Sequence, residues 1–525
     1  MKIQKFLEHH GIAANPFAEE DAQTDAVFKE FCIDTTHHPT WDKVYGDPSE
    51  PSTAIVFGEK GAGKTAMRLQ IVRHVEQYNR QHAGSQLFVI EYDDFNPFLD
   101  RFHDKLGRRR RLEQVLSYWK LWDHMDAILS LGVTQLVDRL LDKPHPIPPG
   151  EGGREGKLPL PPGPQAGAPG RGEGDKRHRD AASAAPALDP KRLDRTQMRD
   201  LLLLAAIYDQ STAENFRQRW HRLRRRLRFH TWRTRWPLAL GIVTVLTVFG
   251  LIVGLKEWDW LASPWPYVFA AAGWIPLAAR SWKWYWRARA IMRQLRVVNH
   301  EPNPLRQVLM NFSVDELAGQ PLPTKERTDD RFELLAKFQG VLRTLGFPGI
   351  IVLVDRVDEP HLINGSPEQM KALLWPMLDN KFLKHPGIGF KLLLPIELSY
   401  FADREAHDFY QRARLDKQNL VRSLGWTGEA LYDVANARLK ACAINGQTPS
   451  LRTLFQESVS ERRLIDALRT LRVPRHLFKF LHRLFVSHAN AYTDENPSWQ
   501  ISGETFESVL ALYQREQDAY DRGLG

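Results

Sequence analysis

Gly58-Glu59-Lys60-Gly61-Ala62-Gly63-Lys64-Thr65 follows directly on the apolar run Ser52-Thr53-Ala54-Ile55-Val56-Phe57. It precedes a segment, Thr65 to Tyr78, in which Met67, Ile71, Val72 and Val75 recur at helical spacing. A strand, a glycine loop and a helix in that order match the pattern G-x-x-x-x-G-K-[ST] in full. Each position has a chemical reason. Glycines at 58, 61 and 63 let the backbone curl, with Ala62 between them, until its amides face a phosphate. The Lys64 ammonium would reach the β- and γ-phosphates, and the Thr65 hydroxyl would hold Mg²⁺.

The matching acids lie far downstream, in Ile350-Ile351-Val352-Leu353-Val354-Asp355-Arg356-Val357-Asp358-Glu359. A buried strand over Gly349 to Val354 would deliver Asp355 to its C-terminal tip, where open α/β sheets bind ligands. Asp355 would orient Mg²⁺ through water, and Asp358 and Glu359 are candidates to polarise an attacking water. Gln86 to Tyr92 and Gly387 to Leu394 read as further strands, and helical patterns occupy Leu112 to Leu141 and Asp329 to Leu345. Ser366-Pro367-Glu368-Gln369 is a capping box that opens another helix. Strands alternating with helices predict an α/β fold with a parallel sheet. From Thr427 the pattern is helical, with a second capping box at Ser458-Val459-Ser460-Glu461, which predicts a small C-terminal helical domain, winged-helix-like if the chain reads DNA.

Between the two halves of the site lie two uncharged stretches, Trp236 to Leu255 and Leu261 to Ala279, joined by Lys256-Glu257-Trp258-Asp259-Trp260. About 20 apolar residues in a helix cross a bilayer core, so the expectation is a two-helix transmembrane hairpin over 236–280. Pro264, Pro266 and Pro276 interrupt the second stretch. Neither stretch holds an ionisable residue, which favours anchoring over transport. The net charge of +9 is local: Arg217 to Arg235 and Arg280 to Arg296 together carry +15, and the rest of the chain is −6. Cationic flanks stay on the cytoplasmic side and meet anionic headgroups, whereas a mildly acidic remainder disfavours a DNA-coating surface. Both termini are therefore expected in the cytoplasm, at the inner cell membrane. Cys32 and Cys442 form no disulfide framework, and the N-terminus carries no apolar signal segment.

These signals divide the chain into a first half of a nucleotide-binding domain with helices (1–142), a disordered Pro/Gly-rich linker (143–196), and a basic juxtamembrane helix (197–235). The hairpin (236–280), the second half of the domain (281–425) and the helical lid (426–525) follow.

A P-loop domain with transmembrane helices between its lysine loop and its magnesium aspartate resembles the KAP family of NTPases. Asp355-Arg356-Val357-Asp358-Glu359 is similar to the D-x-x-D-E shape of STAND and NACHT ATPases, relatives of AAA+ proteins. The resemblance covers about residues 50–100 and 330–480. It implies ATP rather than GTP, Mg²⁺ on Asp355, catalytic acids at Asp358 and Glu359, a helical lid and nucleotide-dependent assembly with itself or a protein partner. Val473-Pro474-Arg475-His476 opens a helix as the sensor segment of AAA+ relatives does, which assigns γ-phosphate sensing to Arg475. The chain departs from the Asp-Asp-x-Asp-Arg pattern of KAP members, and Pro395-Ile396-Glu397 stands where STAND proteins carry an arginine. Three functions compete. The first is a membrane-anchored ATPase acting as a switch or assembly factor. The second is a DNA-linked AAA+-type ATPase, and the third a nucleotide-binding membrane scaffold without turnover. The location of the arginines favours the first over the second, and the three acids favour it over the third.

Overall fold

The structure, a computed structural model, describes residues 1–106, 115–141, 188–212, 214–231, 236–256, 258–405, 413–415, 418–444 and 447–521. Five strands form one all-parallel sheet: β1 (Ala54–Gly58), β2 (Leu87–Tyr92), β3 (Gly349–Val354), β4 (Ile388–Pro395) and β5 (Asn419–Val421). Their order is β2-β3-β4-β1-β5. Every residue of β1, β3 and β4 is buried, which is why they read as unbroken apolar runs rather than alternating ones. The fold is α/β, as expected. β5 escaped sequence reading because three residues, Asn419-Leu420-Val421, carry no periodicity. It is set by pairing with Ala54, Ile55 and Val56 of β1.

β2 and β3 are adjacent in register from Leu87↔Gly349 to Tyr92↔Val354, although a long insertion separates them in sequence. Contacts divide the described chain into two units, Met1–Leu121 with Gly346–Gly525, and Trp122–Leu345. The first unit holds the sheet and the C-terminal helices Gly428–Ala441, Glu461–Thr470, Pro474–Ala491 and Gly503–Asp521. Its N-terminal segment joins those helices rather than the sheet. Phe6, Leu7, Ile12 and Phe17 enter the core formed by Leu431, Leu439 and Phe485, and Ile12 bridges to Ala443. A second core, with Val56, Ile71, Ile351 and Leu393, lies against the sheet.

The second unit is helical. The helices Leu121–Leu140 and Asp329–Thr344, read from sequence as parts of the flanking halves, fall almost wholly within it. The physical reason is a buried polar network. Arg331, fully buried, lies 3.3 Å from Asp126, and the Tyr208 hydroxyl donates to the same carboxylate at 2.7 Å. Burial raises the Asp126 carboxyl above its ordinary range, against the pull of Arg331 and Tyr208. Arg219 is likewise buried, 2.7 Å from Asp138 and 2.6 Å from Asp209, and Arg296 clamps Asp123. Buried charges persist when paired this completely. Two arginines of the predicted lipid-facing flanks are thus internal struts. The basic segment expected as one helix over 197–235 is two, Arg195–Tyr208 and Phe216–Arg226. Most of the linker predicted over 143–196 lies outside the described residues, while 188–196 contain a 3₁₀ turn at Pro190–Arg192 and the Asp194–Gln197 capping box.

Among the described residues one helix, Trp236–Leu255, is long and apolar enough to cross a membrane, with mean hydropathy 2.6. The second apolar stretch is not one continuous helix, so a two-helix hairpin is not shown. It is broken into Trp265–Ala272 and Ile275–Gln294, each with a proline in its first turn. Proline is tolerated there but cannot continue a preceding helix, so the residues noted as interruptions restart the chain. The broken stretch packs along the intact helix. A methyl group added at Gly241 would meet the Trp274 ring at 2.9 Å, and one at Gly273 would meet Thr244 at 2.5 Å.

One sheet residue is chemically out of place. Lys391 of β4, opposite Ala54, is fully buried, and its ammonium donates to the carbonyls of Ser52 (2.7 Å) and Tyr45 (3.0 Å). Burial pushes its pKa down to about 8. The unfolded chain therefore binds more protons than the folded one between about pH 8 and 10.5, and stability rises with pH through that window. Lys391→Met should gain about 1–2 kcal/mol at pH 7 after the lost carbonyl bonds are subtracted. That gain should shrink toward zero by pH 10.5, as read by urea unfolding of both proteins. A gain independent of pH would show that charge burial is not the cause.

Candidate functional site

The glycine loop leaves the C-terminal end of β1 and runs into the helix Lys64–Gln81. Gly61 (φ +88°) and Gly63 (φ +96°) occupy left-handed backbone, which side chains disfavour. Gly61 has a second reason: a methyl group there would sit 2.5 Å from Cβ of Arg475. Gly58 ends the strand in ordinary backbone, close to Leu424, so its smallness serves packing. Lys64 Nζ folds over the loop and donates to the carbonyls of Gly58 (2.8 Å) and Glu59 (3.0 Å).

Thr65 and Asp355 lie 290 positions apart in sequence, yet the Thr65 hydroxyl donates to Asp355 Oδ2 at 3.0 Å. Asp355 is buried, and burial raises its carboxyl pKa against the pull of Arg68, Thr65 and the Arg356 amide. Burial likewise lowers Lys64, while the fields of Asp355, Asp358 and Glu397 hold its proton on. Glu397, exposed just past the end of β4, adds to this field. Asp358 faces the cavity half-buried. The Glu359 carboxylate accepts from Arg356 Nε at 3.0 Å, and its pKa is raised by desolvation against that pull. Arg356 takes a left-handed φ of +60°, which turns the chain between Asp355 and Asp358.

Arg475 arrives from the C-terminal helices. Its backbone N–H donates to Gly61 O at 3.4 Å, and its Nε lies 4.0 Å from the Glu20 carboxylate. Among the described residues that buried Nε has no hydrogen-bond partner. All ten residues expected at the site by sequence therefore converge at the C-terminal edge of the sheet: Gly58, Gly61, Ala62, Gly63, Lys64, Thr65, Asp355, Asp358, Glu359 and Arg475.

Sequence reasoning missed four supports. Trp426 donates its indole N–H to Ala62 O at 2.9 Å and fixes the loop from outside. His38 stands edge-on to Trp426 and donates to Gly425 O at 2.9 Å. Arg68, one turn into the loop helix and almost fully buried, lies 3.5 Å from Asp355 and also holds Glu91 and Asp93. The fourth is the far wall. A cavity of about 180 Å³ runs from the glycine loop to an apolar end formed by Phe28, Cys32, Val434, Ala437 and Phe478. That end is braced by Arg438, buried on Asp25 at 2.6 Å and stacked 4.3 Å from the Phe478 ring. None of the four carried a local signature in the sequence.

The arrangement has one cationic, amide-lined end and one apolar end of aromatic and aliphatic side chains, the shape suited to a phosphorylated planar ligand. Among the described residues no cluster of three or more His, Cys, Asp or Glu side chains is placed to hold a metal. Mg²⁺ fits the site none the less, because it keeps most of its waters and needs one or two protein oxygens, here Thr65 and Asp355. Comparison with known proteins yields no matching family model, no matching curated protein and no matching solved structure.

Proposed function

We propose that this chain is a membrane-anchored, Mg²⁺-dependent ATPase that works as a nucleotide-driven switch or assembly factor, in the manner of the KAP and STAND families it resembles. The observation that carries the proposal is the Thr65–Asp355 hydrogen bond beside Lys64. In this reading the amides of Gly61 to Thr65 wrap the phosphates, and Lys64 neutralises the β- and γ-oxygens. Thr65 and Asp355 would hold Mg²⁺, which would supply neutralisation of phosphate charge when bound. Asp358 and Glu359 position and deprotonate the attacking water. The purine lies against Phe28, Val434 and Phe478. Arg475 senses the γ-phosphate through its guanidinium and couples occupancy to the helices it belongs to, since guanidinium pairs with phosphate in a bidentate way.

The membrane reading rests on topology. β2 and β3 are hydrogen-bonded neighbours. If Trp236–Leu255 crosses a bilayer, the chain must return before β3, and the only other apolar stretch is 261–279. We assign the return to the broken pair Trp265–Ala272 and Ile275–Ala279, whose prolines are tolerated in a bilayer when neighbouring groups satisfy the freed backbone. Both cationic flanks, and both termini, then lie on the cytoplasmic side of the inner membrane. Exposed Arg217, Arg225 and Arg228 face anionic lipid.

The test uses the full chain purified in detergent. ATP hydrolysis should require Mg²⁺ and be unchanged by DNA, and the membrane-bound chain should resist alkaline carbonate extraction. Stimulation by DNA would move the assignment to a DNA-linked ATPase. Binding without turnover would leave a nucleotide-binding scaffold, and loss into the carbonate supernatant would remove the anchor.

A further inference from the structure

We infer that the inserted unit contains a discrete binding site for the phosphate headgroup of one anionic phospholipid. This rests on the membrane reading above but names a site and a ligand that the general attraction of arginines to a bilayer does not require. The site is a cavity of about 360 Å³ where Trp236 begins the apolar helix and where the helix Ile275–Gln294 passes beside it. That volume is within the range of small-ligand pockets.

Three cations line it, Arg280, Lys283 and Arg287, together with Trp236, Trp284 and Val314, and among the described lining residues there is no carboxylate. Spacings of three and four place the cations on one face of the helix. They are partly preorganised. Arg280 donates through Nη2 to the carbonyls of Phe312 (2.8 Å) and Met310 (3.1 Å), which orient the guanidinium without cancelling its charge. Arg287 stacks 5.0 Å from the ring of buried Trp284. Among the described residues neither Lys283 nor Arg287 has a salt-bridge partner, in contrast to Arg219 and Arg296 of the same unit. Two exposed cations without a salt-bridge partner among the described residues, beside a guanidinium held by backbone carbonyls, make a site for an anion.

The surroundings choose the source of that anion. Trp236 and Val314 on the rim are each 57% exposed, and Leu238, Leu240 and Ile242 continue an exposed apolar surface up the helix. A phosphate in the cavity would leave its acyl chains along that surface, whereas free phosphate would leave it unmatched. Trp236 is an interfacial aromatic at headgroup depth.

The experiment is native mass spectrometry of the detergent-purified full chain, titrated with short-chain phosphatidylglycerol, phosphatidylcholine and inorganic phosphate. The wild type should retain one phosphatidylglycerol per chain in preference to phosphatidylcholine. Arg280→Gln/Lys283→Gln/Arg287→Gln should weaken retention about 100-fold, on the scale of three juxtamembrane cations. Lys191→Gln/Lys325→Gln/Arg327→Gln, on exposed cations that do not line the cavity, should leave it within about threefold. Because Arg280 also braces Met310 and Phe312, the double variant Lys283→Gln/Arg287→Gln keeps the test valid if the triple variant does not fold, with about 20-fold weakening expected. Equal retention of the two lipids, undiminished retention by the double variant, or displacement by millimolar inorganic phosphate would each overturn the inference. Carbonate extraction of the same proteins reports separately on the membrane reading: a chain that stays in the bilayer yet shows no lipid preference refutes this site alone.

Discussion

Replacing Lys64 by alanine is expected to lower ATP affinity about 100-fold or more, measured by calorimetric titration of the detergent-purified chain with the Mg²⁺–nucleotide complex. The size follows from what the side chain does. Its ammonium is half-buried over the glycine loop, bound to the Gly58 and Glu59 carbonyls, within the fields of Asp355, Asp358 and Glu397. Those acids would repel a polyphosphate in the absence of a cation. Removing Lys64 thus loses a charge-assisted contact and exposes the ligand to uncompensated like charge. Truncating one partner of a buried charged pair costs about 2–5 kcal/mol, from which a loss of two orders of magnitude is the moderate expectation. The fold should survive, because the sheet and the helix Lys64–Gln81 draw on Val56, Ile71 and Val75 rather than on this amine. Unchanged affinity in a folded variant would overturn the assignment of the glycine loop as the phosphate site.

That Lys64, Thr65 and Asp355 meet was legible in the sequence because each carries a local signature. A glycine spacing admits few backbones, and an apolar run ending in an acid places that acid at a strand tip. What supports them was not legible. Trp426, His38 and Arg68 act through partners chosen by tertiary packing, and nothing near Arg68 in sequence announces Asp93 or Asp355. The N-terminal wall with Phe28 and Cys32 was hidden for the same reason. Leu121–Leu140 misled in a different way. It was read with the first half of the nucleotide-binding domain, but it is buried nearly all round, with Asp123, Asp126 and Asp138 inside as halves of internal ion pairs. In the second apolar stretch composition gave the right hydropathy, but length of apolar run does not guarantee one helix when Pro266 and Pro276 each open a new one.

Asp358→Asn is expected to slow ATP hydrolysis about 100-fold while leaving ATP affinity within about threefold, and Glu359→Gln to slow it about tenfold. The two acids follow Asp355 in one turn, yet the structure gives them different standing. Asp358 is half-buried on the cavity wall, its field reaches Lys64, and its carbonyl accepts from the Gly365 amide at 3.1 Å, which pins the turn. A carboxylate held toward the phosphate end is positioned to take a proton from water, a contribution worth about 10²–10⁴ in rate. Glu359 is more exposed and already committed to Arg356 Nε. It orients the turn and adds negative potential, so its loss should cost less. The pH profile separates the roles. Desolvation holds the Glu359 carboxyl above the ordinary carboxylate range, so any rate that depends on its charge falls away at a higher pH than a solvent-exposed glutamate would give. In Glu359→Gln that acid limb should move to lower pH, and in Asp358→Asn the residual rate should keep it. If hydrolysis is unaffected in both variants, the water is activated elsewhere, and Glu397, the remaining acid whose field reaches Lys64, becomes the residue to replace.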